Sequence, residues 1–225
     1  MSQELLEPTN LKFLVIDDHE SVLGGTLDVL QRQYPNTEIL TAQTAQSAQE
    51  QVERFQPDVV IMDLSIPEKP GEAARADIGI QLLRTLMKHH PTLNMVVQSA
   101  HVRTLVRIRP EIDAHKGGFT VADKSLSSKE MLARVNWALQ ELTHTKDIKG
   151  IHSGLEVKPE WLTVLTYAFK EGLQDKAIAK QMCVSERMVR HYWTKVQDVL
   201  DVYPEEGKNI RIQTERRARE EGLID

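Results

Sequence analysis

Val59-Val60-Ile61-Met62-Asp63 is the stretch that decides the fold, because four apolar residues in a row run directly into a carboxylate. An unbroken apolar run of this length indicates a strand buried on both faces, as the central strands of a parallel sheet are. Lys12–Ile16 and Asn94–Gln98 have the same character. Two less continuous runs, Glu38–Thr41 and Gly118–Val121, bring the predicted strands to five.

Segments with helical periodicity separate these strands. We predict helices over Ser21–Tyr34, Thr44–Phe55, Ile78–His90 and Ser128–Leu142, with a weaker one around Val102–Ile112. Strands that alternate with helices are typical of repeated β-α units on a parallel sheet. The predicted fold class of this part is therefore α/β, with a five-stranded parallel, doubly wound sheet.

Length and composition limit what the whole chain can be. Its 225 residues suit two domains of the usual ~100–150 residues. We expect the first domain at residues 1–144, a polar linker at 145–157 and a helical domain at 158–225.

No apolar stretch approaches the ~20 residues of a membrane helix, and Met1–Asn10 lacks the layout of a secretion signal. We therefore expect a cytoplasmic protein without membrane contact, and the single cysteine, Cys183, excludes an internal disulfide.

Polar side chains stand where four of the predicted strands end. Asp17 and Asp18 follow the first strand directly, and Asp63 follows the third. Parallel strands place their carboxyl ends at one edge of the sheet, where three carboxylates need a cation between them and suit Mg²⁺. Ser99 and Lys124 follow the fourth and fifth strands, where a hydroxyl and an ammonium can bind phosphoryl oxygens. The set predicts a phosphoryl site in which one carboxylate is the nucleophile.

These motifs, in this order, resemble the receiver domain of two-component response regulators. The matching stretches are Val15-Ile16-Asp17-Asp18, Ile61-Met62-Asp63-Leu64-Ser65-Ile66-Pro67, Ser99-Ala100 and Asp123-Lys124-Ser125. The resemblance implies a flavodoxin-like sheet of strand order 2-1-3-4-5 and a sensor histidine kinase as partner. It also implies that Asp63 is the phosphoacceptor, that Ser99 and Lys124 sense the phosphoryl group, and that the chain is no enzyme beyond slow self-phosphorylation and dephosphorylation. Mg²⁺ or Mn²⁺ would be held by Asp17, Asp18, Asp63 and the backbone carbonyl of Ser65.

Two features depart from that family. The connection from Ser65 to Asp77, between the third strand and the next helix, is several residues longer than usual. The fifth strand offers two candidates for the aromatic switch position, Phe119 five residues before Lys124 and Val121 three residues before it. If Val121 takes that place, an aromatic-rotamer switch is in doubt.

A basic turn marks the helical domain. An apolar stripe over Trp161–Phe169 predicts its first helix, and helices over Asp175–Met182 and Glu186–Leu200 are joined by the short turn Cys183-Val184. Within Gln174–Gln197, five Lys and Arg against two Asp and Glu leave a local charge of +3, although the whole chain carries −5. Such a helix pair, with basic residues early in the second helix, indicates a helix-turn-helix.

The stretch from Gly172 to Arg190 and the ending Glu221-Gly222-Leu223-Ile224 resemble the LuxR-type output domain of NarL/FixJ response regulators. The resemblance implies a double-stranded DNA partner. Base edges would be contacted by Arg190, His191 and Thr194, with Arg187 near them, and phosphates by Lys176, Lys195 and Arg211. The family's acidic residue of the first helix falls on Val164, and the predicted last helix, Gln213–Glu221, is highly charged. A homodimer formed through that helix is left open.

Three functions are consistent with the sequence. The leading hypothesis is a transcriptional regulator controlled by phosphorylation of Asp63. A second is a receiver-containing signalling protein whose helical domain docks on another protein instead of DNA. A third is an α/β phosphatase with Asp17 or Asp18 as nucleophile, which would leave the helix-turn-helix without a purpose.

Overall fold

Two compact units make up the chain in this computed structural model, which describes residues 11–145 and 157–225. The first unit contains the described residues up to Val102 and from Pro110 onward to residue 145; the second contains Arg103–Arg109 and residues 157–225. Most of the linker expected at 145–157, and the segment Met1–Asn10, lie outside the described residues. The domain boundaries given above stay a prediction.

The first unit is built on a parallel sheet of six strands in the order β2-β1-β3-β4-β5-β6. The strands are β1 (Lys12–Ile16), β2 (Glu38–Ala42), β3 (Val59–Met62), β4 (Asn94–Ser99), β5 (Phe119–Asp123) and β6 (Thr143–His144). The predicted order 2-1-3-4-5 is confirmed, but the predicted count of five strands was wrong. The sixth strand has only two residues, which pair with Phe119 and Thr120. A strand that short carries no periodicity, so the sequence indicates no element at Thr143 and His144, which lie between the predicted last helix of the domain and the predicted linker.

Nine α-helices lie in the described residues, with a 3-10 helix at Val102–Ile108. They are α1 (Glu20–Gln33), α2 (Ala45–Phe55), α3 (Ala76–His89), α4 (Arg109–Ala114), α5 (Ser128–Leu139), α6 (Pro159–Phe169), α7 (Asp175–Gln181), α8 (Glu186–Leu200) and α9 (Ile210–Glu220). The weak helix predicted around 102–112 is divided between the 3-10 helix and α4. Pro110 lacks the N–H that a continuous α-helix would use at that position, which accounts for the break.

Strand register brings the four polar strand ends of the sheet to one edge. Ile16 pairs with Met62 at the ends of β1 and β3, and Ser99 pairs with Asp123 at the ends of β4 and β5. Beneath this edge one face of the sheet packs against α1 and α5 through a buried apolar cluster. Members of the cluster are Phe13, Val15, Leu23, Leu30, Val59, Ile61, Val96, Met131, Val135 and Ala138. The burial of β1 and β3 fixes where the chain leaves each strand, and hence where the carboxylates lie.

The second unit packs its helices around a separate core. Trp161, Leu165, Ile178, Val189 and Trp193 are among its buried residues. The turn between α7 and α8 is closed by the Val184 N–H, which donates to the Ala179 carbonyl at 2.9 Å. None of the helices in the described ranges combines the length and apolar character that a bilayer-spanning segment needs.

The start of the last helix differs from the sequence prediction by three residues. It begins at Ile210 instead of Gln213, because the Asn209 side chain accepts hydrogen bonds from the backbone N–H groups of Arg211 and Ile212. An Asn in this position satisfies N–H groups that a helix start leaves without partners. The helix therefore includes Arg211 in its first turn.

Arg211 ties α9 to α7 and α8. Its guanidinium carbon lies 3.5 Å from the centre of the Trp193 ring, and its Nη2 donates to both carboxylate oxygens of Asp175 at 3.0 and 2.9 Å. The Trp193 Nε1–H donates to the same Asp175 at 3.0 Å. Asp175 is therefore shared by a cation and an indole, each from a different helix.

Gly79 in α3 allows a close approach that places the loop after Asp63. A Cβ at this position would lie 2.5 Å from Leu64 Cα and closer still to the Leu64 carbonyl oxygen.

We predict that Gly79→Ala lowers the free energy of unfolding by about 1–3 kcal/mol, the usual cost of overpacking. Gly24→Ala is the control, because Gly24 lies mid-helix in α1 with open space around the missing Cβ. It should raise stability by about 0.5–1 kcal/mol in the same urea titration. Equal effects of the two substitutions would contradict the packing argument.

Removal of the Arg211 side chain tests the contact among α7, α8 and α9. Arg211→Ala leaves the partly buried Asp175 with one fewer donor and exposes a face of Trp193, so we expect a loss of about 1–3 kcal/mol. Thermal unfolding of the full chain, followed by far-UV circular dichroism, measures it. Arg216→Ala, at an 80% exposed side chain of the same helix, should change stability by less than about 0.5 kcal/mol. A loss as large in Arg216→Ala would refute the specific role of Arg211.

Candidate functional site

Asp63 is the centre of a polar cluster at the carboxyl edge of the sheet. It follows β3, is 5% exposed, and accepts three hydrogen bonds. Its Oδ1 accepts from the Ser99 hydroxyl at 2.6 Å and from the Ser65 N–H at 3.2 Å, and its Oδ2 accepts from Lys124 Nζ at 2.7 Å. Both oxygens of this buried carboxylate therefore have hydrogen-bond partners.

Lys124 joins Asp63 to Asp17. Its Nζ donates to Asp17 Oδ2 and to Asp63 Oδ2, each at 2.7 Å. Burial alone would lower the pKa of Lys124, but the hydrogen bonds and charges of the two carboxylates outweigh it and raise the pKa above its ordinary value. A raised pKa means that the stabilisation is fully present at neutral pH. It is lost only as the pH rises through the folded-state pKa.

Asp17, Asp18 and His19 form a second cluster beside the first. Each of these three residues offers a potential metal-ligand atom, and the three atoms lie within 4.8 Å of one another. The metal set expected from the sequence also included Asp63, which is not a member of this cluster. The Asp18 Oδ1 is shielded from solvent and accepts no hydrogen bond, although His19 Nδ1 lies 2.7 Å away. An acidic pocket with an unsatisfied buried oxygen fits a bound cation.

The long connection after β3 folds back on the sheet edge. Ile66 and Arg75 form an antiparallel bridge, with the Arg75 N–H donating to the Ile66 carbonyl at 3.1 Å. The carbonyls of Pro67 and Glu68 accept the first two N–H groups of α2, at 2.9 and 3.2 Å. The extra residues therefore cap α2 and lie beside the Asp63 cluster.

The fifth strand buries both candidates for the switch position. Val121 and Phe119 are both fully buried and, being two residues apart in a strand, point to the same face. Lys124 lies three residues after Val121, which supports the doubt about a rotating aromatic side chain.

The helix-turn-helix presents one polar face of α8. Arg187, Arg190, His191 and Thr194 are exposed and recur at helical spacing, while Val189, Trp193 and Val196 face the core. Ser185 begins the helix by accepting the Met188 N–H at 3.2 Å. The predicted base-contacting residues thus share one solvent-facing surface.

The predicted phosphate-contacting residues divide into two groups. Lys176 is exposed on α7, and the Lys195 side chain is 45% exposed on α8, where it pairs with Asp198 at 3.6 Å. Arg211 is instead held by Asp175 and Trp193, and burial lowers its pKa despite the Asp175 carboxylate. The structure therefore does not bring Arg211 together with the α8 surface residues. Its role in DNA contact stays a prediction.

One residue of the site had no assignment from the sequence. His19 directly follows Asp17 and Asp18, and its ring lies against both carboxylates. The signal was its place in the same short loop. A single histidine in a loop is too common to be singled out by type alone.

Comparison with known proteins identifies the family. The profile of the response regulator receiver domain matches residues 13–136. The transcriptional regulatory protein YdfI of Bacillus subtilis is 26% identical over 219 residues, which are 95% of this chain and 97% of that protein. The oxygen regulatory protein NreC of Staphylococcus aureus is 26% identical over 201 residues, 83% of this chain and 89% of that one. A structure of RcsB from Salmonella enterica bound to the promoter P1flhDC has a TM-score of 0.54 at 20% identity, with 87% of this chain and 94% of that one covered. Together with the receiver and helix-turn-helix described above, these matches show that the chain belongs to the response regulators, as a member of the NarL/FixJ type.

Proposed function

We propose that this protein is a transcriptional regulator that is phosphorylated on Asp63 and binds specific double-stranded DNA through α8. The observation that carries the proposal is the contact of one ammonium, Lys124 Nζ, with the carboxylates of Asp17 and Asp63. A partly buried cation held at a nucleophilic carboxylate is positioned to bind the charge of an incoming phosphoryl group. A sensor histidine kinase would be the donor, and homodimers are the expected assembly on DNA.

The chemistry needs one bond formed and one broken. A carboxylate oxygen of Asp63 attacks the phosphorus, the bond between phosphorus and the donor's nitrogen breaks, and the product is an acyl phosphate on Asp63. Lys124 and the Ser99 hydroxyl already bind the Asp63 carboxylate, so both can move to phosphoryl oxygens with small displacements. The donor imidazole leaves with the electron pair of the broken bond.

The acidic pocket supports a divalent cation. Asp17, Asp18 and Asp63, together with the backbone carbonyl of Ser65, would hold Mg²⁺ or Mn²⁺. The ion would neutralise charge on the transferred phosphoryl oxygens. The unsatisfied Asp18 Oδ1 supports this part of the proposal.

DNA recognition is assigned to the exposed face of α8. Arg190 can pair bidentately with guanine, and His191 and Thr194 lie on the same surface. Lys176 and Lys195 offer charge to phosphates, which sets register and salt dependence but reads no sequence. The DNA-bound state of the RcsB neighbour and the names of the curated relatives support this assignment.

The acceptor assignment is tested by phosphorylation with acetyl phosphate and Mg²⁺. We expect intact-mass spectrometry to show one added phosphoryl group on the wild type and none on Asp63→Asn. Asp58→Asn is the matched control, because Asp58 flanks β3 at its other end and accepts the Lys12 N–H. It should be labelled like the wild type. Equal labelling of Asp63→Asn would overturn the assignment.

The DNA assignment is tested on a duplex selected from random sequences, with and without the phosphodonor. We expect Arg190→Ala to weaken binding to the selected duplex about 5- to 150-fold, the equivalent of ~1–3 kcal/mol, with little change on random duplexes. Lys176→Ala should weaken binding to both and reduce the salt slope by about 0.9. Fluorescence anisotropy at several salt concentrations measures these effects.

A charge control completes that experiment. Arg32→Ala removes an exposed basic residue from α1 in the first unit and should leave the salt slope unchanged. If no duplex is enriched at moderate salt, or if Arg190→Ala behaves like Arg32→Ala, the DNA assignment fails. The helix-turn-helix would then be a docking surface for another protein.

A further inference from the structure

His19 occupies a position for which helix stability gives no reason. It is the N-cap of α1, yet its side chain makes no capping hydrogen bond. Ser, Thr, Asp or Asn at an N-cap stabilises a helix by ~1 kcal/mol relative to residues that cannot cap. The imidazole instead turns back toward the two carboxylates that precede it.

The geometry around His19 is that of a donor group. Its Nδ1 lies 2.7 Å from Asp18 Oδ1 and 3.4 Å from Asp17 Oδ1. The Asp18 oxygen accepts no hydrogen bond in spite of this proximity. Two carboxylate oxygens and one ring nitrogen thus lie within 4.8 Å of one another, close enough to be ligands of a single ion.

The two oxygens of Asp17 face different partners. Its Oδ2 is bound to Lys124, whereas its Oδ1 faces His19 and accepts the His19 backbone N–H at 2.9 Å. The His19 ring is 62% exposed, so this side of the pocket is open to solvent. An ion can therefore enter beside His19 while Lys124 remains bound to Asp17 and Asp63.

We propose that His19 Nδ1 adds a nitrogen donor to the metal pocket and shifts the preference of the pocket from Mg²⁺ toward borderline divalent ions such as Co²⁺. Carboxylate and water oxygens favour hard ions, whereas an imidazole nitrogen favours ions later in the first transition series. The inference rests on the metal pocket of the proposed function and adds which class of ion that pocket selects.

The test compares Mg²⁺ and Co²⁺ binding to the full chain by isothermal titration calorimetry at one mildly alkaline pH. His19→Asn is the chosen variant, because Asn removes the imidazole and is itself a good N-cap that preserves α1. We expect Co²⁺ affinity to fall about 10-fold or more and Mg²⁺ affinity to change less than about 2-fold. His89→Ala, an exposed histidine at the end of α3, should change neither. An unchanged ratio of the two affinities in His19→Asn, whether both fall or neither does, would overturn the proposal.

A second variant locates the ion. Asp18→Asn should weaken both ions, and unchanged Co²⁺ binding in this variant would place the ion elsewhere and also overturn the proposal. Neither titration requires phosphorylation, so the two inferences fail separately. A chain that is not labelled on Asp63 but shows His19-dependent Co²⁺ binding contradicts only the proposed function. A labelled chain with an unchanged affinity ratio contradicts only the role of His19.

Discussion

The contact of Lys124 with Asp17 and Asp63 is the constraint on which the first unit depends. Carboxylates buried to this degree are costly without a partner, and removal of one partner from a buried group of charges leaves the others uncompensated. The three side chains come from the ends of β1, β3 and β5, so their contact requires the register of three strands to be correct at once. The same arrangement that satisfies these charges also gathers the polar side chains at the carboxyl edge of the sheet.

Much of this arrangement follows from local sequence. The bounds of β1 and β3 were predicted to the residue, because a short continuous apolar run that ends in polar residues is typical of a strand buried on both faces. The polar residues after them were then placed by the rule that parallel strands end at one edge. Two features of the first unit were not predicted, because they depend on backbone pairing between separate parts of the chain. Strand β6 has two residues and depends on pairing with β5, and the connection after Asp63 is fixed by backbone hydrogen bonds to α2, which side-chain patterns do not encode.

Arg211 illustrates the same limit in the second unit. From the sequence it is one basic residue among several, and charge alone groups it with Lys176 and Lys195 as a candidate for phosphate contact. Its stacking on Trp193 and its bidentate contact with Asp175 join residues 18 and 36 positions away along the chain. To reach a phosphate, Arg211 would have to exchange these contacts for new ones. The structure thus separates a cation that holds helices together from cations that are exposed on the surfaces of α7 and α8, a distinction that composition cannot make.

A change of charge at Asp63 has a direct physical route into the backbone. The Ser99 hydroxyl donates to Asp63 and also accepts the His101 N–H at 3.1 Å. Phosphorylation of Asp63 would give this hydroxyl a more strongly charged acceptor, and any rotation toward it alters the bond from His101. The segment that follows is the 3-10 helix Val102–Ile108, whose hydrogen bonds are of poorer geometry than those of an α-helix. The segment that follows Ser99 is therefore held by weaker backbone hydrogen bonds than an α-helix would provide. Lys124 would impose no comparable change on β5, because a lysine can turn its flexible stem without moving its backbone.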